Sequence, residues 1–308
     1  MSTHLIDDAL TGAPEAYRTP AVRPTLAEAQ AWCKELAETH YENFHVATWF
    51  LPAKLRPHFQ VIYAYCRVAD DLGDEVGDAA LSTALLQSWR AMLDECYDAP
   101  ERSRHPVFVA LAETVRECAI PREPFADLLV AFTRDQTKTR YESIAELEDY
   151  ARYSANPVGR LVLYTAGAND PRLFALSDKV CTGLQLANLW QDVAEDFAAG
   201  RIYIPAEEMR RFGVDEQDIK TQRYTREYRA MMKHLVEYTR ALFAAGKPIC
   251  KLVDSDVAAT LALFITGGEA ILDAIARQEY NTLERRPFLS KTTKVRLLAK
   301  ALWGKVFA

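Results

Sequence analysis

Apolar residues return at helical spacing along almost the whole chain. From Thr25 onward, Leu26, Ala29, Ala31, Trp32 and Leu36 recur at helix-like intervals with Glu and Lys between them, the mark of a helix with one buried face. Pro57 opens a second run that continues through VIYAYCRVADDLGDE at 61–75; proline suits a first turn because its missing N–H would have no partner there. Further segments follow at about 82–97, 105–119, 123–139, 146–154 and 158–168, divided by Pro100, Pro121, Pro157 and the Gly-Ala-Asn-Asp-Pro run ending at Pro171. A long apolar stretch over 172–197 stops at Gly200, Pro205 opens the next helix, and 224–245, 254–283 and 290–303 are again helical. Residues 1–24, with Pro14, Pro20 and Pro24 and little periodicity, read as an irregular lead-in. Strand-like alternation of period two appears nowhere. The pattern predicts one all-α domain over 25–308, an irregular bundle of roughly ten helices.

Composition narrows the function classes. The 308 residues are 49% hydrophobic and 26% charged, with only 12 Gly, too few for the glycine-dependent turns of sandwiches, barrels and dinucleotide-binding sheets. A chain of this length buries enough apolar surface to fold without disulfides or a structural metal. Its net charge of −6, from 37 basic and 43 acidic residues evenly mixed, argues against nucleic acid as a partner, which needs a basic face. The six cysteines form no C-x-x-C pair and fit reduced thiols. The N-terminal MSTHLIDDALTGAPEAY has acids where a signal peptide is basic. No stretch reaches the roughly 18 uninterrupted apolar residues of a membrane span. A cytoplasmic protein, at most peripheral to the inner face of a membrane, is the expectation.

Two acidic motifs carry the candidate chemistry. In Arg67-x-x-Asp70-Asp71-x-x-Asp74-Glu75, Asp70 and Asp74 project from one helix face just after the apolar stretch from Phe59 to Cys66; like charges so placed cost an isolated helix about 0.2–0.5 kcal/mol and invite a cation. In Gln185-x-x-Asn188-x-x-Gln191-Asp192-x-x-x-Asp196, the spacing repeats as Asp192 and Asp196, and Gln185, Asn188 and Asp192 form a polar stripe through an otherwise apolar helix. Such a stripe is costly to bury unless it has partners. A single D-x-x-x-D is usually a solvated helix face; two of them, each on an apolar helix, point to oxygen ligation of Mg²⁺, which takes one or two carboxylates and shares its remaining positions with phosphate oxygens and water. A di-iron bundle would need Glu-x-x-His, which none of the six histidines supplies.

At YAYCRVADDLGDE (63–75) and QLANLWQDVAEDFAAGRIYIP (185–205) the chain resembles the squalene/phytoene synthase family of head-to-head prenyl transferases, from about residue 30 to 290. HYENFHVATWFLP (40–52), YSANPVGRLVL (153–163) and the Gln191 that stands where most relatives have Arg resemble its hydroxysqualene synthase branch, which serves hopanoid biosynthesis. The resemblance implies an isoprenoid-synthase-type helical bundle around a central cavity, with the two aspartate motifs facing across it and Mg²⁺ bridging to diphosphate. Its implied reaction takes presqualene diphosphate and water to hydroxysqualene without NADPH; farnesyl diphosphate is the alternative substrate, and presqualene diphosphate, squalene or phytoene synthase the alternative activity. A non-catalytic assembly factor is the rival from another class, disfavoured by the intact aspartates. Peripheral membrane contact would serve the lipid product.

The site residues follow. Asp70, Asp74, Asp192 and Asp196 are the expected Mg²⁺ ligands. His40, Tyr41, Asn43, Arg67, Gln185, Asn188, Arg201, Tyr203 and Arg285 are expected at the diphosphate and substrate, with Arg286 beside Arg285 in LERRPF as a further contributor, and with Asp71 and Glu195 farther out. Phe44, Trp49, Tyr63 and Trp190 are expected to line the pocket, where aromatic faces stabilise cations. Asn156, biased away from helix by Pro157, is expected to hold the water that captures the cation.

Overall fold

Prolines and capping side chains set most of the helix boundaries. The computed structural model describes residues 9–40, 52–290 and 292–293, with His40 described by its backbone alone. The first helix, α1 (Leu26–His40), starts at a reciprocal pair in which the Thr25 hydroxyl and backbone N–H both donate to Glu28, a capping-box arrangement. Next come α2 (Arg56–Asp74), α3 (Ala79–Asp98), α4 (Pro106–Cys118) and α5 (Glu123–Asp135). They are followed by α6 (Ile144–Ser154), α7 (Asn156–Thr165), α8 (Pro171–Gln191) and α9 (Val193–Ala198). The chain continues through α10 (Ala206–Phe212), α11 (Glu216–Lys220), α12 (Arg226–Gly246) and α13 (Ser255–Arg277). Asp78, Ser143, Asp170 and Thr225 each accept an N–H of the first turn they precede, satisfying donors that a helix start leaves open. Helix predominates among the described residues, where the sole β-type pairing is an isolated bridge between Arg140 and Ile202. The all-α expectation holds.

Several boundaries differ from the periodicity. The stretch expected as one helix over 172–197 is interrupted at Asp192, which leaves helical geometry (φ −102°, ψ 14°) between α8 and α9. The helix expected at 158–168 begins earlier, at Asn156, and those expected to reach 139 and 283 stop at Asp135 and Arg277. The described part of the lead-in, 9–24, is irregular apart from a 3₁₀ turn at Glu15–Tyr17, yet Leu10, Ala13 and Tyr17 are buried. Most of 290–303 lies outside the described residues.

The chain forms two compact units, one from Met1–Thr137 with Arg160–Asn169 and one from Lys138–Gly159 with Asp170–Ala308. In the first, α1 packs on α2 and α4, and α3 on α2, α4 and α5. Tyr65, Trp89, Phe108 and Phe125 form its aromatic centre, with ring centroids 4.5 Å apart for Trp89–Phe108 and 4.9 Å for Tyr65–Phe125. Against them lies the fully enclosed His105, whose Nδ1 accepts from the Val107 N–H at 3.2 Å while Nε2 donates to the Tyr17 carbonyl at 3.1 Å. Those partners require the neutral ring, and burial pushes His105 down to about 4.

In the second unit, α12 lies along α8 and α13 packs on both. Gly268 permits this: a Cβ there would meet the Phe243 ring at 2.4 Å. Among the described helices, α13 is the one long and apolar enough, by length and composition, to cross a membrane; here it buries Leu261, Ile265, Leu272 and Ile275. All six cysteines are free.

Because His105 must be neutral when folded, its contribution to stability is lost as pH falls from its ordinary value near 6.5 through about 4. We expect His105→Gln, which keeps a donor and an acceptor, to flatten the fall in urea midpoint between pH 7 and pH 5 relative to the parent chain.

Candidate functional site

In the first unit the acidic motif occupies the last turns of α2. Asp71 is 2% exposed. It accepts from the Tyr17 hydroxyl and from Arg67 Nε at 2.9 Å, while Arg67 Nη2 also reaches Glu75 at 3.1 Å. The inner carboxylate is thus committed to holding Arg67, whose Nη1 lies 4.0 Å from Asp70. Asp70 and Asp74 are left on the open side, Asp70 with 48% of its side chain exposed and Asp74 more so. Packing around the Asp70 carboxylate and the charge of Asp74 push it up to about 6. Asp71, expected behind the metal ligands, is there the anchor for Arg67. Tyr17 was not foreseen, because a contact across 54 residues leaves no local pattern. Tyr63 is half-buried on the same helix. Tyr41, Asn43, Phe44 and Trp49, and the side chain of His40, lie outside the described residues.

In the second unit the motif straddles the break between α8 and α9. Despite the break, the Asp196 N–H bonds the Asp192 carbonyl at 2.8 Å, so the two acids stay one turn apart. Gln185 and Asp192 are half-buried and Asn188 is exposed; the polar stripe is the open side of α8, opposite its packing face, and is not a buried one. Trp190 belongs to that packing face: it is fully enclosed and its indole N–H donates to Thr239 of α12 at 2.8 Å. It is a core residue, correcting its expected place in a pocket. Asp192 is held by Arg286, Nε at 2.5 Å and Nη2 at 3.1 Å. Glu195 lies 3.4 Å from the same guanidinium. The expected Arg285 is exposed, its guanidinium 6.0 Å from the Phe288 ring centre. The motif therefore uses the second arginine of the pair, and the contact that selects it spans 94 residues.

Burial and the charge of Asp192 push Asp196 up to about 7, and its Oδ2 is enclosed with no hydrogen-bond donor among the described residues. Gly200, at φ +83°, turns the chain so that the Arg201 N–H reaches the Asp196 carbonyl at 2.8 Å. Asp196, Arg201 and Tyr203 line a small cavity of about 10 Å³. Tyr203 is largely buried, its ring stacked on Tyr141 with centroids 5.5 Å apart. Asn156 is buried in the first turn of α7, where Pro157 needs no donor, and its Oδ1 accepts from Thr182 at 3.0 Å. The bias away from helix was overridden.

These clusters suit a hard divalent cation. No group of three or more His, Cys, Asp or Glu side chains is gathered into a metal cage among the described residues. Mg²⁺ does not require one: it binds through one or two carboxylates and leaves its other positions to water and phosphate. The enclosed, donor-free oxygen of Asp196 and the adjoining like charge are the features a cation would relieve.

Sequence and structure comparisons agree on the kinship. The profile of the family described as squalene/phytoene synthase matches residues 19–293. The chain belongs to the squalene/phytoene synthase family. Its fold superposes with a TM-score of 0.79 on squalene synthase HpnC from Alicyclobacillus acidocaldarius, at 41% identity, covering 89% of this chain and 99% of that one. A dehydrosqualene synthase solved with a ligand matches at TM-score 0.83 and 25% identity over 92% of this chain and 98% of its own. Phytoene synthase 3 of Zea mays is 29% identical over 305 residues, 94% of this chain and 70% of that protein. The family comprises prenyltransferase-type enzymes of head-to-head condensation acting on prenyl diphosphates, and the neighbours share the isoprenoid-synthase fold.

Because the Asp196 carboxyl is raised, ionising it costs stability above about pH 7, and that cost fades as pH falls from about 7 toward its ordinary 3.8. Without divalent ions, we expect Asp196→Asn to raise Tm at pH 8 by about 2–4 °C, on the order of 1 kcal/mol for a partly exposed group. Thermal melts at pH 8 and pH 4.5 should show the gain shrinking at the lower pH.

Proposed function

We propose that the protein is a Mg²⁺-dependent hydroxysqualene synthase, converting presqualene diphosphate and water to hydroxysqualene and diphosphate. The observation that carries this reading is the 41% identity with squalene synthase HpnC over nearly the full length of that protein. Both acidic motifs are intact beside it. In each unit the paired carboxylates, Asp70 with Asp74 and Asp192 with Asp196, would hold Mg²⁺. Bound there, Mg²⁺ would neutralise charge on the departing diphosphate.

The chain's own residues account for the remaining steps. Arg67, oriented by Asp71, and Arg201 would direct guanidinium N–H groups to phosphate oxygens. The carbon–oxygen bond to diphosphate breaks with its electron pair leaving on oxygen, and the cyclopropane ring opens to an allylic cation. Water then forms the new carbon–oxygen bond and releases a proton. No hydride is transferred, so NADPH has no role. Asn156, its carbonyl fixed by Thr182, has a set amide plane with which to orient that water. Unselective capture is prevented only if bulk water stays out.

A second reading is condensation of two prenyl diphosphates, favoured by the likeness to dehydrosqualene and phytoene synthases. The two separate cleanly by substrate. Purified protein with Mg²⁺ and presqualene diphosphate alone should yield the C30 alcohol; consumption of farnesyl diphosphate with presqualene diphosphate left untouched would reverse the assignment. Asp70→Ala and Asp192→Ala should each lower kcat by about 10²–10³-fold while circular dichroism shows the helical fold retained.

A further inference from the structure

Gln191, the last residue of α8, is 5% exposed, a costly position for a primary amide unless it is bonded. Its Nε2 donates to the Pro287 carbonyl at 2.6 Å, across 96 residues. The next residue on one side of this bond is Asp192, and on the other is Arg286, and these two are themselves joined by the bidentate ion pair. Two consecutive residues of α8 and its end thus grip two consecutive residues of the segment after α13. One grip is buried and neutral; the other is ionic, with 46% of the Arg286 side chain exposed.

The rest of that segment is fixed by polar contacts of its own. Glu279 and Tyr280 both take positive φ in a sharp reversal. Tyr224 donates to the Glu279 carbonyl at 2.5 Å, and the hydroxyls of Tyr228 and Thr282 lie 2.8 Å apart. Gln278 Nε2 donates to the carbonyls of Asn281 and Arg285 at 2.5 and 2.6 Å. Residues 279–288 form a strap, and Gln191 fastens its far end. A half-exposed ion pair is weak by itself, because two mobile side chains must be held in one geometry. A buried hydrogen bond to the backbone one residue away restricts that freedom by fixing where the Arg286 side chain starts.

We propose that Gln191 is a positioning residue: by latching Pro287 it holds Arg286 on Asp192 as an internal counter-cation, which yields Asp192 to the metal and turns its charge to phosphate when Mg²⁺ and a diphosphate bind together. The inference rests on Asp192 being a metal ligand, as proposed above. It has a consequence that packing alone does not produce. Releasing the latch frees Asp192 for Mg²⁺ and misplaces the guanidinium meant for phosphate, so the two affinities move in opposite directions.

The test is calorimetric titration of the full chain with MgCl₂ alone, and with methylenediphosphonate at saturating Mg²⁺. The parent chain is compared with Gln191→Met, Arg286→Met and the double variant. Gln191→Met should bind Mg²⁺ roughly two- to tenfold more tightly and the diphosphonate weaker by a similar factor, the scale of one hydrogen bond. In the double variant, Gln191→Met should add nothing to Arg286→Met, since both act through one guanidinium. Gln191→Asn, which withdraws the amide by one methylene, should reproduce the same signs and serves if the Met variant does not fold. Unchanged affinities, two shifts of the same sign, or additivity in the double variant would overturn the latch. A parent chain that binds neither probe would overturn the metal assignment beneath it, a result distinct from parent-like variants.

Discussion

A carboxylate that is withheld from water and set one turn from another carboxylate must be compensated by a cation or take up a proton, and both acidic motifs are built on that constraint. Asp196 presents it most sharply, with an enclosed oxygen that meets no donor and Asp192 beside it. Asp70 meets a milder version at the end of α2, next to Asp74. Neither site is a finished metal cage. Each is a cluster of negative charge only partly compensated by the fold, which is what a cation bridging to a phosphate ligand requires.

The surrounding structure compensates those charges with guanidinium groups only in part. In the first unit, Asp71 absorbs Arg67 through the 2.9 Å contact and is itself held by Tyr17, so Asp70 stays at the edge of the guanidinium's reach, at 4.0 Å. In the second, Arg286 pairs with Asp192 while Asp196 keeps its raised affinity for a proton. In each motif one acid is held by a guanidinium and a second keeps a raised affinity for a proton. The supporting helices are held by ordinary means: caps and prolines at their starts, the aromatic cluster around Trp89, and the close approach of α13 to Phe243 at Gly268.

The helical architecture was legible because periodicity and breakers act over a few residues. Both aspartate pairs were legible for the same reason, as i, i+4 spacings on apolar helices, and the length of the second motif was enough to indicate the family that the 19–293 match establishes. Errors arose where local preference met a tertiary partner. Asn156 entered α7 in spite of the following proline, and Asp192 left helical geometry inside a segment whose apolar periodicity reads as one helix.

The sequence by itself therefore determined the fold class, most of the helices and the acidic motifs that are the candidates for metal and diphosphate chemistry, since these depend on side-chain type and spacing. Tertiary structure alone decided which of them serve the site and which support it. It chose Arg286 over Arg285, put Trp190 in the core against Thr239, turned Gln191 to Pro287, and brought Tyr17 from the lead-in onto Asp71. The physical reason is common to all four. Each role is fixed by a hydrogen bond or ion pair to a residue 49 to 96 positions away, and such a partner is determined by how helices pack, which no local spacing encodes.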